Sequence, residues 1–185
     1  MTAEIISTAD TKMDSAVDFA REEFAAIRTG RAHPAMFQKL TAEYYGTPTP
    51  LQQLASFQVP EARTVLITPY DRGSMAAIEK AIRESDLGVN PSNDGHTVRV
   101  TLPVLTEDRR KEYTKLAKTK AEEGRVAIRN SRRAANDAVH KLVKDKEISE
   151  DDASRAEKQL DTITKKHTDA VDELLKHKEA ELLEL

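Results

Sequence analysis

A chain of 185 residues and 20.6 kDa has room for one ordinary domain or two small ones. Its 38% apolar and 33% charged residues describe a soluble globular protein, which excludes collagen-like, mucin-like and membrane classes. The absence of cysteine excludes disulfides, thiolate zinc sites, iron–sulfur clusters and cysteine nucleophiles, and 4% aromatics without Trp argue against a broad base-stacking platform.

The formal charge of −3 is unevenly spread: residues 1–30 carry −3, residues 31–106 balance to zero, residues 107–145 carry +5 and residues 146–185 carry −5. The basic charge sits in one segment, and local field decides where a polyanion docks, so the acidic total does not exclude a nucleic-acid partner. No apolar run approaches the roughly 20 residues that a bilayer helix needs. Met1 to Ser7 lacks the basic and apolar regions of a secretory signal. The expected location is cytoplasmic, with no membrane partner.

In chain order, Ile6, Ala9, Met13, Val17, Ala20, Phe24 and Ile27 recur at steps of three and four, which predicts one long helix. Gly30 and then Pro34 are its expected stop. From Arg31 to Leu105 the texture changes, and this stretch holds all seven prolines and five of the eight aromatics. Leu40 to Tyr45, Leu54 to Val59, Thr64 to Thr68 and Thr97 to Leu102 read as strands. Between them Met75, Ile78 and Ile82 mark a helix, with Ser74 as its N-cap and Gly88 as its stop. Asn93-Asp94-Gly95 turns the chain into the last strand.

After Pro103, Thr106 is placed to cap a helix whose seam runs Tyr113, Ala117, Ala121, Gly124, Ile128, Ser131, Ala135, Val139 and Leu142. From Glu107 to Asp145 such a helix extends roughly 58 Å. A turn near Asp145 to Ile148 and the pair Ser149 and Asp152 open a last helix, with its seam at Ala153, Ala156, Leu160, Ile163, His167, Ala170, Leu174 and Glu181 or Leu182. The expected fold class is α+β: an elongated antiparallel three-helix bundle (residues 1–30 plus 106–185) with an inserted small β/α/β domain (residues 31–105). Hinges are expected near residues 29–31 and 103–106, at Gly30, Pro103, Val104 and Leu105.

Catalysis has no visible address. The five histidines show no zinc-like spacing, so no metal site, cofactor or catalytic residue is assigned, and His167 reads as a hydrogen-bonded seam residue. Glu150-Asp151-Asp152 sits at a helix start, where acids offset the dipole. The informative group lies on the second long helix. Lys111, Lys118, Arg125 and Arg132 recur every seven residues, flanked by Arg129, Arg133 and Asn136, on a face expected to point out of the bundle. Arg125, Arg129, Arg132 and Arg133 have no acid between them. By itself this stripe fits RNA or another polyanion as well as it fits a solvated face tied by ion pairs. A second basic group comprises Arg28, Arg31, Arg109 and Arg110. The adjacent Tyr44 and Tyr45 are expected to point one ring inward and the other outward.

Four segments in order, Ile27-Arg28-Thr29-Gly30-Arg31-Ala32, Tyr44-Tyr45-Gly46-Thr47-Pro48-Thr49-Pro50-Leu51, Ser85-Asp86-Leu87-Gly88-Val89-Asn90-Pro91 and Val126-Ala127-Ile128-Arg129-Asn130-Ser131-Arg132-Arg133, closely resemble the bacterial ribosome recycling factor family. The ending Lys178-Glu179-Ala180-Glu181-Leu182 agrees, and the resemblance covers the whole chain. It implies an L-shaped monomeric translation factor that is not an enzyme. Such a factor binds the 70S ribosome after peptide release, along large-subunit RNA, and splits it into subunits with elongation factor G and GTP. By the same resemblance Arg132 leads the RNA contacts, Arg129 and Arg133 support it, and Arg28, Arg31, Arg109 and Arg110 add contacts near the elbow; Arg125 joins the RNA-binding set from the stripe itself. Asp108 and Ser131 depart from the family pattern, the second of them on the helix seam. The alternative reading is a coiled-coil scaffold or an RNA-binding adaptor without recycling activity.

Overall fold

Thr2–Ala25 form helix α1, which buries Ala9, Met13, Val17, Ala20 and Phe24 along one stripe. These assignments come from a computed structural model that describes residues 1–184. Two further long helices follow late in the chain, α4 (Glu107–Lys144) and α5 (Glu150–Leu183). By contacts the chain divides into two compact units, one of Met1–Phe24 with Lys115–Ala180, the other of Ala25–Thr114 with the residues from Glu181 onward.

The first unit is a three-helix bundle. Arg125 meets Asp172, Arg132 meets Asp161 and His140 meets Glu157, so one number rises as the other falls and α4 runs antiparallel to α5. Both starts are capped as the sequence predicts: Thr106 Oγ1 accepts from Arg109 N at 3.2 Å, and Ser149 Oγ accepts from Asp152 N at 3.1 Å. The α4 seam holds Ala117, Ala121, Gly124, Ile128, Ala135 and Val139, all buried. A Cβ placed on Gly124 would lie 3.5 Å from that of Ala20 and 3.6 Å from Val171, so the three helices meet at this glycine. On α5 the expected seam drifts by one position after Leu160. Thr164, His167 and Val171 are buried where Ile163 and Ala170 were expected to join His167. A straight helix turns about 20° per heptad against a 3.5-residue repeat, which moves the inward face forward.

The second unit contains two sheets and two short helices. β1 (Thr41–Tyr44) pairs with β2 (Thr47–Pro50) as a hairpin, and the four-residue helix α2 (Leu51–Leu54) follows. β3 (Ala55–Glu61), β4 (Thr64–Pro69), β5 (Pro91–Asn93) and β6 (Val98–Thr101) form an antiparallel sheet of order β3-β4-β6-β5. Helix α3 (Met75–Arg83) buries Met75, Ile78 and Ile82 in a core that includes Val65, Ile67, Val98, Val100 and Phe37.

Several boundaries differ from expectation. α1 ends at Ala25 instead of Gly30, because the chain leaves the helix to bury Ile27 and Arg28, each 5% exposed, in the second unit. α3 ends at Arg83 rather than Gly88; the chain then buries Leu87 and Val89 on either side of Gly88, whose φ of 66° suits a residue without Cβ. Ser74 does not cap α3: its hydroxyl donates to Asp71 O, while the Asp71 carboxylate accepts from Gly73 N. β2 and β5 were not foreseen. Pro48 and Pro50 do not prevent β2, because it pairs on one side only and an edge strand tolerates proline. The expected hinge residues Gly30, Pro103, Val104 and Leu105 all lie inside the second unit, Leu105 buried and Val104 exposed.

Candidate nucleic-acid interface

The arginine stripe of α4 is built on a helix that continues without a break for 38 residues, so the spacing of its side chains is fixed by the backbone. Arg125 is the most enclosed, its side chain 23% exposed. Its Nε donates to Asp172 Oδ1 at 2.8 Å, and its Nη1 donates to Glu122 Oε2 at 3.2 Å. Burial alone would lower this guanidinium's pKa, but the hydrogen bonds to Asp172 and Glu122 outweigh it and the net shift is upward. Arg129 Nη2 donates to the other Glu122 oxygen at 2.5 Å, so Glu122 holds two arginines. Those bonds, from Arg129 first and then Arg125, keep the Glu122 carboxyl below its ordinary range.

Arg132 is 42% exposed in its side chain and pairs with Asp161 at 2.6 Å. Its Nε and the Asn136 Oδ1 one turn later are shielded from solvent and without partner among the described residues. Arg133 is exposed and has no ion-pair partner among the described residues. The stripe therefore does not face outward as a whole. Arg125 and Arg132 lie at the edge shared with α5, and acids from that helix reach them, which the acid-free run 125–133 concealed. Arg129 and Arg133 are the outward members. An exposed ion pair contributes about 0–1 kcal/mol, so exchanging Asp161 for a phosphate on Arg132 costs little, and the planar fork suits a phosphate in either case.

The second basic group belongs to the second unit and divides. Arg31 and Arg109 are exposed, facing Glu184 at 3.6 Å and Glu112 at 3.4 Å. Arg110 is half-buried, with its Nε shielded and unpaired among the described residues. Arg28 differs from the other three: at 5% exposure it donates to the Pro103 carbonyl and lies beside the Tyr113 hydroxyl. Burial is the main reason that its pKa is lowered. It serves as an internal fastener and leaves little of its surface open.

Tyr45 is 86% exposed at the hairpin tip, and Tyr44 is half-buried with its hydroxyl donating to Asp71 Oδ2 at 3.1 Å, as expected of the pair. The two rings meet edge to face at 4.5 Å because Tyr45, with φ of 50°, occupies the turn and not the strand. Sequence intervals gave no hint of one further group: the buried His167 faces Asp14 and Asp10, residues more than 150 positions away. No helix among the described residues is long and apolar enough to cross a membrane.

Residues 20–183 match the family described as ribosome recycling factor. A ribosome-recycling factor of Cutibacterium acnes is 70% identical over 183 residues, covering 99% of this chain and all of that protein. Two solved structures are similar over the whole chain. A solution structure of the ribosome recycling factor is 39% identical with a TM-score of 0.79 and is 98% covered. The other, 42% identical with a TM-score of 0.71 and fully covered, comes from models of the T. thermophilus ribosome recycling factor and E. coli elongation factor G bound to the E. coli post-termination complex.

Proposed function

This chain belongs to the ribosome recycling factor family, and from that premise we propose that it binds the post-termination ribosome and, with elongation factor G and GTP, separates the subunits. In this reading α4 lies along large-subunit RNA and the chain itself performs no catalytic step. Arg132 is the leading contact, Arg129 and Arg133 support it, and Arg125, Arg31, Arg109 and Arg110 are secondary.

The observation that carries the RNA role is the row Arg129, Arg132 and Arg133 on one continuous helix. A rigid helix presents several forks to phosphates at once without the entropy cost of ordering a loop. Glu122 and Asp161 hold two of those forks extended in advance, at a cost that exposed pairs keep small.

The direct test is light scattering of post-termination ribosomes with this protein, elongation factor G and GTP, each omitted in turn. Scattering should fall only when all three are present. Arg132→Ala should leave the fold intact and reduce ribosome affinity roughly ten- to a hundredfold, since a hydrogen bond to a charged group contributes about 1.5–3 kcal/mol. Asp161→Asn separates the two roles of Arg132. If the arginine contacts RNA, this variant binds as well as the parent or better; if it acts only through Asp161, both variants weaken alike and the assignment fails.

A further inference from the structure

His167 lies in the bundle interior of the first unit, 3% exposed, on the inward face of α5. Its Nδ1 is 2.6 Å from the Ile163 carbonyl oxygen, an acceptor only, so Nδ1 carries a proton and donates it there. That bond fixes the ring and directs Nε2 toward α1. Nε2 meets Asp14 Oδ1 at 2.7 Å and Asp10 Oδ1 at 3.5 Å. Asp10 and Asp14 are four residues apart, one helical turn, and so share a face of α1. The three ligand atoms lie within 4.8 Å of one another.

We propose that Asp10, Asp14 and His167 form a binding site for a first-row transition-metal dication, with Zn²⁺ as the reference ion, that ties α1 to α5. The arrangement has the parts such a site requires. One imidazole is locked by a backbone carbonyl on its far nitrogen, the outer support that metal-binding histidines commonly have. Two carboxylates supply charge from the neighbouring helix, and solvent completes the shell on their exposed side.

Bonds of about 2.0–2.1 Å in a tetrahedral shell place ligand atoms roughly 3.3 Å apart. Asp10 already stands near that distance from Nε2, and Asp14 must retreat by about half an ångström as the ion takes the place of the proton between Nε2 and Asp14, which passes to solvent. Both carboxylates are free to adjust, with side chains 43% and 63% exposed, while the buried ring stays fixed. A mixed nitrogen and oxygen set favours Zn²⁺ over Mg²⁺, which prefers oxygen ligands and keeps its waters.

The test is thermal unfolding of the full chain in EDTA, in Mg²⁺ and in Zn²⁺, with calorimetric titration of Zn²⁺, for the parent and for the double variant Asp10→Asn/Asp14→Asn. The variant changes one half-buried and one exposed position and keeps all five histidines, so it leaves the remaining imidazoles available as an internal control. Saturating Zn²⁺ should raise the Tm of the parent by roughly 5 °C, with no comparable rise in Mg²⁺. The double variant should lose that rise and bind Zn²⁺ at least about tenfold more weakly. No rise in the parent, or an equal rise in parent and variant, overturns the site and leaves the cluster as a hydrogen-bonded brace.

Discussion

Glu122 illustrates how one carboxylate can organise a cationic surface. It accepts from Arg125 through one oxygen and from Arg129 through the other, and both bonds favour its ionised form. Its pKa is depressed in the folded state, so the stabilisation is fully present above the unfolded value, near 4.3, and is lost as pH falls through the folded value below it. Glu122→Gln should lower stability at neutral pH and flatten the loss on the acid side, so that variant and parent converge as pH falls, a comparison made by denaturant unfolding at several pH values. An unchanged acid limb would show that these bonds do not persist in solution. Arg28 shows the opposite use of the same side chain. Enclosed with Tyr113 and the Pro103 carbonyl, its guanidinium fastens the chain between α1 and α4 within the second unit.

Helix α4 owes its close contacts to small side chains. Ala117, Ala121 and Gly124 are buried in succession, and Gly124 sits where Ala20 and Val171 approach. A glycine inside a helix is less favourable than alanine by about 1 kcal/mol, and here the added methyl would find ordinary contact distances of 3.5 to 3.7 Å. Gly124→Ala should therefore stabilise the protein by about 0.5–1 kcal/mol, read as a rise in denaturation midpoint. Gly124→Leu should destabilise it, since overpacking typically costs about 1–3 kcal/mol. A loss on Gly124→Ala would mean that the added methyl is not accommodated at those distances. Ser131 departs from the apolar seam with local effect: its hydroxyl donates back to Ala127 O at 3.1 Å, and it lines a shallow groove with Ala134, Ala135, Ile5 and Ala9.

For the whole molecule, the proposed RNA contact rests on charge that the total of −3 hides. A helix whose arginines neutralise phosphates releases counterions, so the logarithm of affinity falls with the logarithm of salt by about 0.7–0.9 per phosphate engaged. Ribosome binding by this protein should weaken steeply with salt. Arg132→Ala should reduce the slope by about one contact, beyond lowering the affinity itself. A slope that does not differ between parent and variant would show that Arg132 meets no phosphate. Filter binding over a salt series is sufficient for the comparison.

Features that depend on neighbours within a few turns were legible in the sequence. The apolar period of α1 and α4, the caps Thr106 and Ser149, the alternation of Val98 and Val100 with Arg99 and Thr101, and the +5 segment all follow from residues close together in the chain. Four ordered motifs then sufficed to suggest the family. Features that depend on which distant segments meet were decided only by the tertiary structure. Asp161 and Asp172 become partners of Arg132 and Arg125 through the register of two antiparallel helices, and His167 meets Asp10 and Asp14 through the packing of α1 on α5. Arg28 is buried because the chain leaves its helix at Ala25, and β2 exists because one of its sides needs no hydrogen bonds. Periodicity and capping are properties of a local backbone, whereas burial and ion pairing depend on contacts between surfaces that the chain brings together only on folding.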